Sequence, residues 1–269
     1  MTIIFNKYKL IDKIGKGTYG EIYKGINIRT NENVAIKIES IHNEIKILKN
    51  EANTYNYLNN SKGIPIIKWY GTDKHNNYMI INLLGKSLEY LKQQQTTLSI
   101  KLILKIGIQI LELLELIHNK GIIHRDIKPD NFLFGLNQQS NQIYIIDFGF
   151  CKTYLTPNNT HILMKQRTNL IGTPNYASIN SHNYIELSRR DDIESLGYML
   201  LYLYLGYLPW EHIYNNDNIK QLKIDITNQN IPHVFYNYFI YVRQLKFEEK
   251  PNYSLLICEF KDYIRNSNI

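Results

Sequence analysis

Asp126, Lys128 and Asn131 lie within the run His124-Arg125-Asp126-Ile127-Lys128-Pro129-Asp130-Asn131, and Asp147-Phe148-Gly149 begins twenty-one residues after Asp126. This pattern pairs a carboxylate, an ammonium and an amide, with a second carboxylate downstream. Such a set can take a proton from an alcohol, neutralise charge on a moving group and hold a hard divalent cation. That is the equipment of phosphoryl transfer. Asp126 is expected to act as the base and Lys128 to balance charge on the transferred group. Asn131 and Asp147 are expected as the magnesium ligands. Thr173, in Gly172-Thr173, is expected to hydrogen-bond the Asp126–Lys128 pair. His124 reads as a packing histidine beneath the loop. Asp192, which opens Asp192-Ile193-Glu194-Ser195-Leu196-Gly197, reads as a buried acid that braces the loop by accepting its backbone N–H groups.

Far upstream stands Gly15-Lys16-Gly17-Thr18-Tyr19-Gly20. Leu10 and Ile14 before it and Ile22 after it place the glycines between two strands, where backbone N–H groups can approach phosphates. A dinucleotide site needs a helix after such glycines, and none is expected here. Lys37 follows Val34-Ala35-Ile36, so its stem is drawn inward and its ammonium can grip the α- and β-phosphates of a nucleotide. Glu44 and Glu51 both qualify by charge as its partner. Counting back from Gly63-Ile64-Pro65 favours Glu51.

These groups need a scaffold. Residues 8–40 alternate apolar and polar around glycine-rich turns, which predicts three antiparallel strands. Residues 41–58 carry Ile41, Ile45, Leu48, Tyr55 and Leu58 at helical spacing. Two more strands are expected over 66–71 and 78–83. From Ser87 the pattern turns helical, with Leu102, Ile103, Ile106, Ile110, Leu113, Leu114 and Ile117 on one face up to a stop at Gly121. Further helices are expected over 190–205, before Gly206 and Pro209, and over 234–245 and 253–264. The result is a small sheet lobe with one helix, then a mainly helical lobe.

The chain has 269 residues, 44% of them hydrophobic, as in ordinary globular proteins. Its formal charge of +7 suits anionic partners, but the lysines are scattered and no basic stripe or dedicated nucleic-acid surface emerges. Two cysteines, Cys151 and Cys258, make no disulfide framework and fit a reducing compartment. No leader is evident at the start, and the most apolar run, 196–210, is too short to span a bilayer. An intracellular, cytoplasmic protein is expected, with the nucleus also open. The surplus of Ile, Asn, Lys and Tyr reads as the coding bias of an AT-rich genome, a parasite's or a large virus's; a viral chain would work in the host cell.

With these motifs in place, the chain resembles eukaryotic-type protein kinases, and within them the casein kinase I family, from about Tyr8 to Phe260. The more specific pieces are Leu83-Leu84-Gly85-Lys86-Ser87-Leu88, Tyr176-Ala177-Ser178-Ile179-Asn180, the run from Ser188 to Tyr198, and Leu208-Pro209-Trp210. The resemblance implies an α+β, bilobal protein-kinase fold in one domain over 1–269. Its N-lobe would cover about 1–82, its hinge about 82–86 and its C-lobe about 87–269. It implies ATP and Mg²⁺, transfer to Ser or Thr of protein substrates in an acidic or phosphorylated context, and a monomer. By the same resemblance Ile81 guards the adenine pocket, and the Leu84 backbone hydrogen-bonds adenine. Ile14, Ile22, Ala35 and Leu133 then sandwich the ring. Lys128 itself favours Ser/Thr over Tyr. The competing class is a catalytically silent pseudokinase, a nucleotide-binding or docking module.

Departures from the family pattern cluster in one place. The basic pocket that reads a phosphate upstream of the target serine would have an arginine at Asn175, a lysine at Thr168 and a glycine at His212. Losing a bidentate arginine removes a charge-assisted contact worth about 1.5–3 kcal/mol. Lys165, Arg167 and Lys220 are the nearby cations that can compensate. Phe150-Cys151-Lys152 replaces Leu-Ala-Lys, a packing change. Activity without phosphorylation of the activation segment is expected.

Overall fold

Alternation in the first third of the chain predicts a sheet with one buried face, and a sheet forms. A computed structural model describes residues 2–17, 20–95, 97–228 and 230–266. The elements in chain order begin with β1 (Ile3–Ile4), β2 (Tyr8–Gly17), β3 (Gly20–Asn27), β4 (Glu32–Ser40), α1 (Leu48–Tyr57), β5 (Ile67–Thr72) and β6 (Asn76–Asn82). There follow α2 (Leu88–Gln94), α3 (Ile100–Asn119), β7 (Ile122–Ile123), β8 (Phe132–Phe134), β9 (Ile143–Ile145) and β10 (Lys152–Thr153). The last are α4 (Ile179–His182), α5 (Arg189–Leu205), α6 (Asn216–Ile224), α7 (His233–Gln244) and α8 (Tyr253–Asn266). The chain divides into two compact units, Met1–Lys86 with Leu133–Gly149, and Ser87–Phe132 with Phe150–Ile269. The stretch 133–149, expected with the helical lobe, thus groups with the sheet.

In the first unit six strands pair antiparallel in the order β1-β2-β3-β4-β6-β5. One face buries Ile4, Tyr8, Val34, Ile36, Tyr78 and Ile80, with Leu10, Tyr23, Ile38 and Trp69 packed against them. Side chains alternate across a strand, so the odd-numbered positions of β4, Ala35 and Lys37, point to the other face.

The helix expected over 41–58 is shorter, beginning at Leu48. Residues 41–47 are held elsewhere: the Ile41 N–H donates to the His75 carbonyl (2.9 Å) and the His42 N–H to Ser40 Oγ (3.2 Å). The start is set by Glu39 on β4, whose Oε1 accepts the N–H groups of Ile47 (2.8 Å) and Leu48 (3.0 Å). A carboxylate there also complements the positive end of the helix. Because this cap comes from a neighbouring strand, local spacing could not reveal it.

In the second unit α3 buries Ile103, Ile106, Ile110, Leu113, Leu114 and Ile117 of its expected face, together with Leu104 and Leu111, whereas Leu102 in the first turn is exposed. Ser99 Oγ caps it by accepting the Leu102 N–H (3.3 Å). α5 is buried almost throughout, which explains why it carries the most apolar run yet shows little amphipathic contrast. The short helices α4 and α6 and the two-residue pairing of β7 with β10 were not expected. Among the described residues no helix is long and apolar enough to cross a membrane, and neither Cys151 nor Cys258 is in a disulfide.

Candidate active site

The first unit carries the lysine and its partners. Register pairs Ile22 with Lys37, and Ala35 with Ile81. Cross-strand partners and alternate residues share a face, so Ile22, Ala35, Lys37 and Ile81 stand together opposite the buried core. All but Ile14, which is half exposed, are partly buried; Leu84 and Leu133 are partly buried too. The Gly85 N–H donates to the Phe134 carbonyl (2.8 Å) and the Phe134 N–H to the Lys86 carbonyl (3.0 Å). These bonds fix the segment after β6 against β8.

Lys37 Nζ donates to Glu51 Oε2 (2.6 Å) and Asp147 Oδ1 (3.0 Å). Glu51 is therefore the partner, and Glu44 is exposed. Burial alone would lower the Lys37 ammonium, but the charges of Glu51 and Asp147 outweigh it and raise its pKa above the usual lysine range. Asp147 sits at φ +65°, an uncommon conformation for a non-glycine residue. Its N–H donates to Tyr55 Oη (3.1 Å), and the Tyr55 ring meets Phe148 edge-on at 5.1 Å. The Asp147 carboxylate keeps 31% exposure while bonded to Lys37, so a cation can reach it.

The three glycines differ in role. In register Gly17 faces Gly20 and Gly15 faces Ile22. A Cβ on Gly20 would lie 2.1 Å from the Ile38 carbonyl oxygen, so β4 itself demands a glycine. At Gly17 the nearest atom among the described residues would be the Gly20 carbonyl oxygen at 3.8 Å, an ordinary contact. Lys16 is exposed, and Thr18 and Tyr19 lie outside the described residues.

The second unit carries the expected base. Asp126 is buried, and each of its carboxylate oxygens is engaged. Oδ1 accepts the Thr173 N–H (2.9 Å) and hydroxyl (2.8 Å). Oδ2 pairs with Lys128 Nζ (2.8 Å), which also donates to Thr173 Oγ1 (3.1 Å). Asn131 Nδ2 donates to the Asp126 carbonyl (2.8 Å), which leaves its amide oxygen as the atom suited to a cation. Gly172, at φ +87°, lets Thr173 come this close; a Cβ there would meet the Arg125 carbonyl at 2.6 Å.

The loop beneath is held by Asp192. Its Oδ2 accepts the His124 N–H (2.7 Å), its Oδ1 the Arg125 N–H (2.8 Å), and His118 Nε2 lies 2.9 Å from Oδ2. Burial would raise this carboxyl, but the bonds from His118 and His124 hold it below the usual aspartate value. The anchorage accounts for the positive φ of Arg125 (71°). His124 is wholly buried and its Nδ1 accepts the Asp126 N–H (3.3 Å), a packing role as expected.

Glu186 and Lys223 are among the buried charges that were not singled out from the sequence. Glu186 is fully buried among Lys152, Lys165 and Arg167. Lys223 donates to the carbonyls of Pro174 (2.7 Å) and Ala177 (2.6 Å) and lies 3.1 Å from His182 Nε2. Its usable signal was position: Ile219 and Lys223 are four apart on the buried face of α6, where a charge calls for a partner. Arg167, expected to help read substrate phosphate, has its guanidinium on Glu186 (3.0 Å), and Lys220 pairs with Asp217 (3.0 Å).

Hard oxygen ligands from a carboxylate and an amide suit magnesium, which takes most of its remaining shell from phosphates and water. Among the described residues no cluster of three or more His, Cys, Asp or Glu could hold a metal alone. A curled antiparallel sheet bearing a lysine–glutamate pair, followed by a helical part bearing a braced aspartate, defines a mixed α+β phosphotransferase. A family model described as protein kinase domain matches residues 8–260, and the chain belongs to that family. Membership implies use of ATP and a divalent metal in general.

Proposed function

We propose that this chain is a serine/threonine protein kinase of the casein kinase I type, moving the γ-phosphoryl of ATP to Ser or Thr of proteins. The observation that carries the reading is the closed triangle of Asp126, Lys128 and Thr173. Asp126 orients the substrate hydroxyl and accepts its proton. Lys128 balances the charge growing on the transferred group, and Thr173 fixes the carboxylate plane. Lys37, oriented by Glu51, holds the α- and β-phosphates, and Gly15, Lys16, Gly17, Thr18, Tyr19 and Gly20 are the other residues proposed to bind the nucleotide. Ile14, Ile22, Ala35, Ile81, Leu84 and Leu133 bind adenine. Asn131 and Asp147 would hold Mg²⁺, which supplies charge neutralisation at the phosphates. Every catalytic position carries a competent side chain, which favours turnover over the silent module.

The substrates proposed are proteins with an acidic or phosphorylated context. The commitment of Arg167 to the buried Glu186 weakens the case for a primed serine, whereas the exposed Lys220–Asp217 pair leaves Lys220 able to turn to a phosphate. The test is isotopic phosphate incorporation into casein. Asp126→Ala should abolish it and leave nucleotide affinity nearly intact. A wild-type chain that binds ATP and labels nothing, on casein or on arrays of primed and unprimed peptides, makes the protein a nucleotide-binding module instead.

A further inference from the structure

Glu186 is a carboxylate with no exposed side-chain surface in a region rich in positive charge. Its Oε2 accepts from Lys152 Nζ at 2.8 Å and its Oε1 from Arg167 Nη1 at 3.0 Å, with Lys165 Nζ 3.9 Å away. The surrounding backbone is zipped together. The Glu186 N–H donates to the Lys165 carbonyl (2.9 Å), the Arg167 N–H to the Tyr184 carbonyl (2.6 Å), and Gln166 bridges Ile185.

Both ends of this knot lead to Asp126. Lys152 lies on β10 and is paired with Ile123 of β7, the residue before His124. Two residues back from Lys152, the Phe150 carbonyl accepts Arg125 Nε at 2.6 Å. From Arg167 the chain runs six residues to Thr173, which grips Asp126 Oδ1. Three cations from two parts of the chain, Lys152 and the stretch 165–167, meet here, and without an anion they would repel one another and splay the segment. Burial alone would push the Glu186 carboxyl up, but Lys152 and Arg167 outweigh it and hold the group below the usual glutamate value.

A phosphoryl group on a loop hydroxyl is a common way to draw such cations together. We propose that Glu186 is a positioning residue that serves as a built-in anion. It clamps segment 165–173 and the strand behind the catalytic loop, so that Thr173 meets Asp126 without a phosphorylated activation segment. The proposal rests on the kinase reading above and gives a physical reason for activity without phosphorylation.

The experiment uses the full, phosphatase-treated chain and compares wild type with Glu186→Gln, Glu186→Asp and Glu186→Ala. Melting midpoints are recorded beside kcat and KM for ATP and for a casein-derived peptide. In Glu186→Gln, kcat should fall at least about tenfold while KM for ATP stays constant, the pattern of a lost transition-state arrangement. Glu186→Asp should recover part of the rate, and added acetate should restore Glu186→Ala saturably, because a free carboxylate can enter the cation cluster. A Glu186→Gln protein with wild-type kcat overturns the proposal. So does a loss of rate that only tracks the folded fraction and ignores acetate. Should the single variants not fold, Lys152→Gln/Glu186→Gln removes both charges, and a folded double variant with undiminished kcat also overturns it. A wild type that transfers no phosphate sinks the kinase reading and this inference together, whereas an active wild type with an indifferent Glu186 sinks this one alone.

Discussion

At the residue scale, Thr173 shows how a neutral side chain can govern a charged site. Its hydroxyl donates to Asp126 Oδ1 and accepts from Lys128, so it ties together a base and an ammonium that also pair directly at 2.8 Å. Thr173→Val removes both contacts but keeps the backbone N–H bond to Asp126. Steady-state assays should show kcat reduced on the order of 10- to 100-fold, with Thr173→Ser near wild type. An unchanged kcat in the valine variant would remove Thr173 from the machinery. Asp126, Lys128, Asn131 and Asp147 were legible because motif spacing names them one by one. Glu51 was one of two acids that qualified by charge and the one favoured by counting back from Gly63-Ile64-Pro65, and the fold places it 2.6 Å from Lys37. Glu186 and Lys223 went unnoticed because each is a single charge whose partners lie tens of residues away.

At the scale of elements, α4 and α6 meet around His182 and Lys223, a cage that no local pattern announces. The Lys223 ammonium lies 4.7 Å above the Tyr198 ring and 5.4 Å from Trp210, and Trp210 Nε1 donates to the Asn175 carbonyl (2.8 Å). The cage thereby holds the backbone of 174–177, which follows Thr173. Burial, then the Lys223 charge, lowers the His182 imidazole to about 3. Because this pKa is depressed in the folded state, the fold binds fewer protons than the unfolded chain. Its contribution to stability is complete above the ordinary histidine value of 6.5 and is lost as pH falls towards about 3. Burial lowers Lys223 as well, which acts in the same direction. Melting midpoints measured from pH 8 to pH 4 should therefore fall less steeply for His182→Gln than for wild type. Parallel curves would show that His182 titrates normally. The same scale explains the helix that came out short. Ile41 and Ile45 have helical spacing, but Glu39 sets the start at Leu48 through a contact from another strand. The long helices α3, α5, α7 and α8 were legible because burial of one face, or of nearly all faces, is written in their own residues.

At the scale of the whole chain, the functional groups divide between the two units by kind. Lys37, Glu51, Asp147, the glycine turn and the residues proposed for adenine belong to the unit formed by Met1–Lys86 and Leu133–Gly149. Asp126, Lys128, Asn131 and Thr173 belong to the other. The sequence order hid part of this division, since Asp147 and Leu133 follow Asp126 in the chain yet group with the sheet. If nucleotide binding rests on the first unit, it should survive changes to the second that stop chemistry. A ligand at about 100 times its Kd adds about 2.7 kcal/mol to stability. For a chain of this size that corresponds to a rise of roughly 5 °C or more in melting midpoint. Wild type and Asp126→Ala should show the same rise with a non-hydrolysable ATP analogue without added metal, and Lys37→Met should lose most of it. The metal-dependent increment should then shrink in Asn131→Ala, whose proposed ligand lies on the second unit. Equal rises in wild type and Lys37→Met would mean that the buried Lys37–Glu51 pair supports the sheet and leaves the phosphates to other groups.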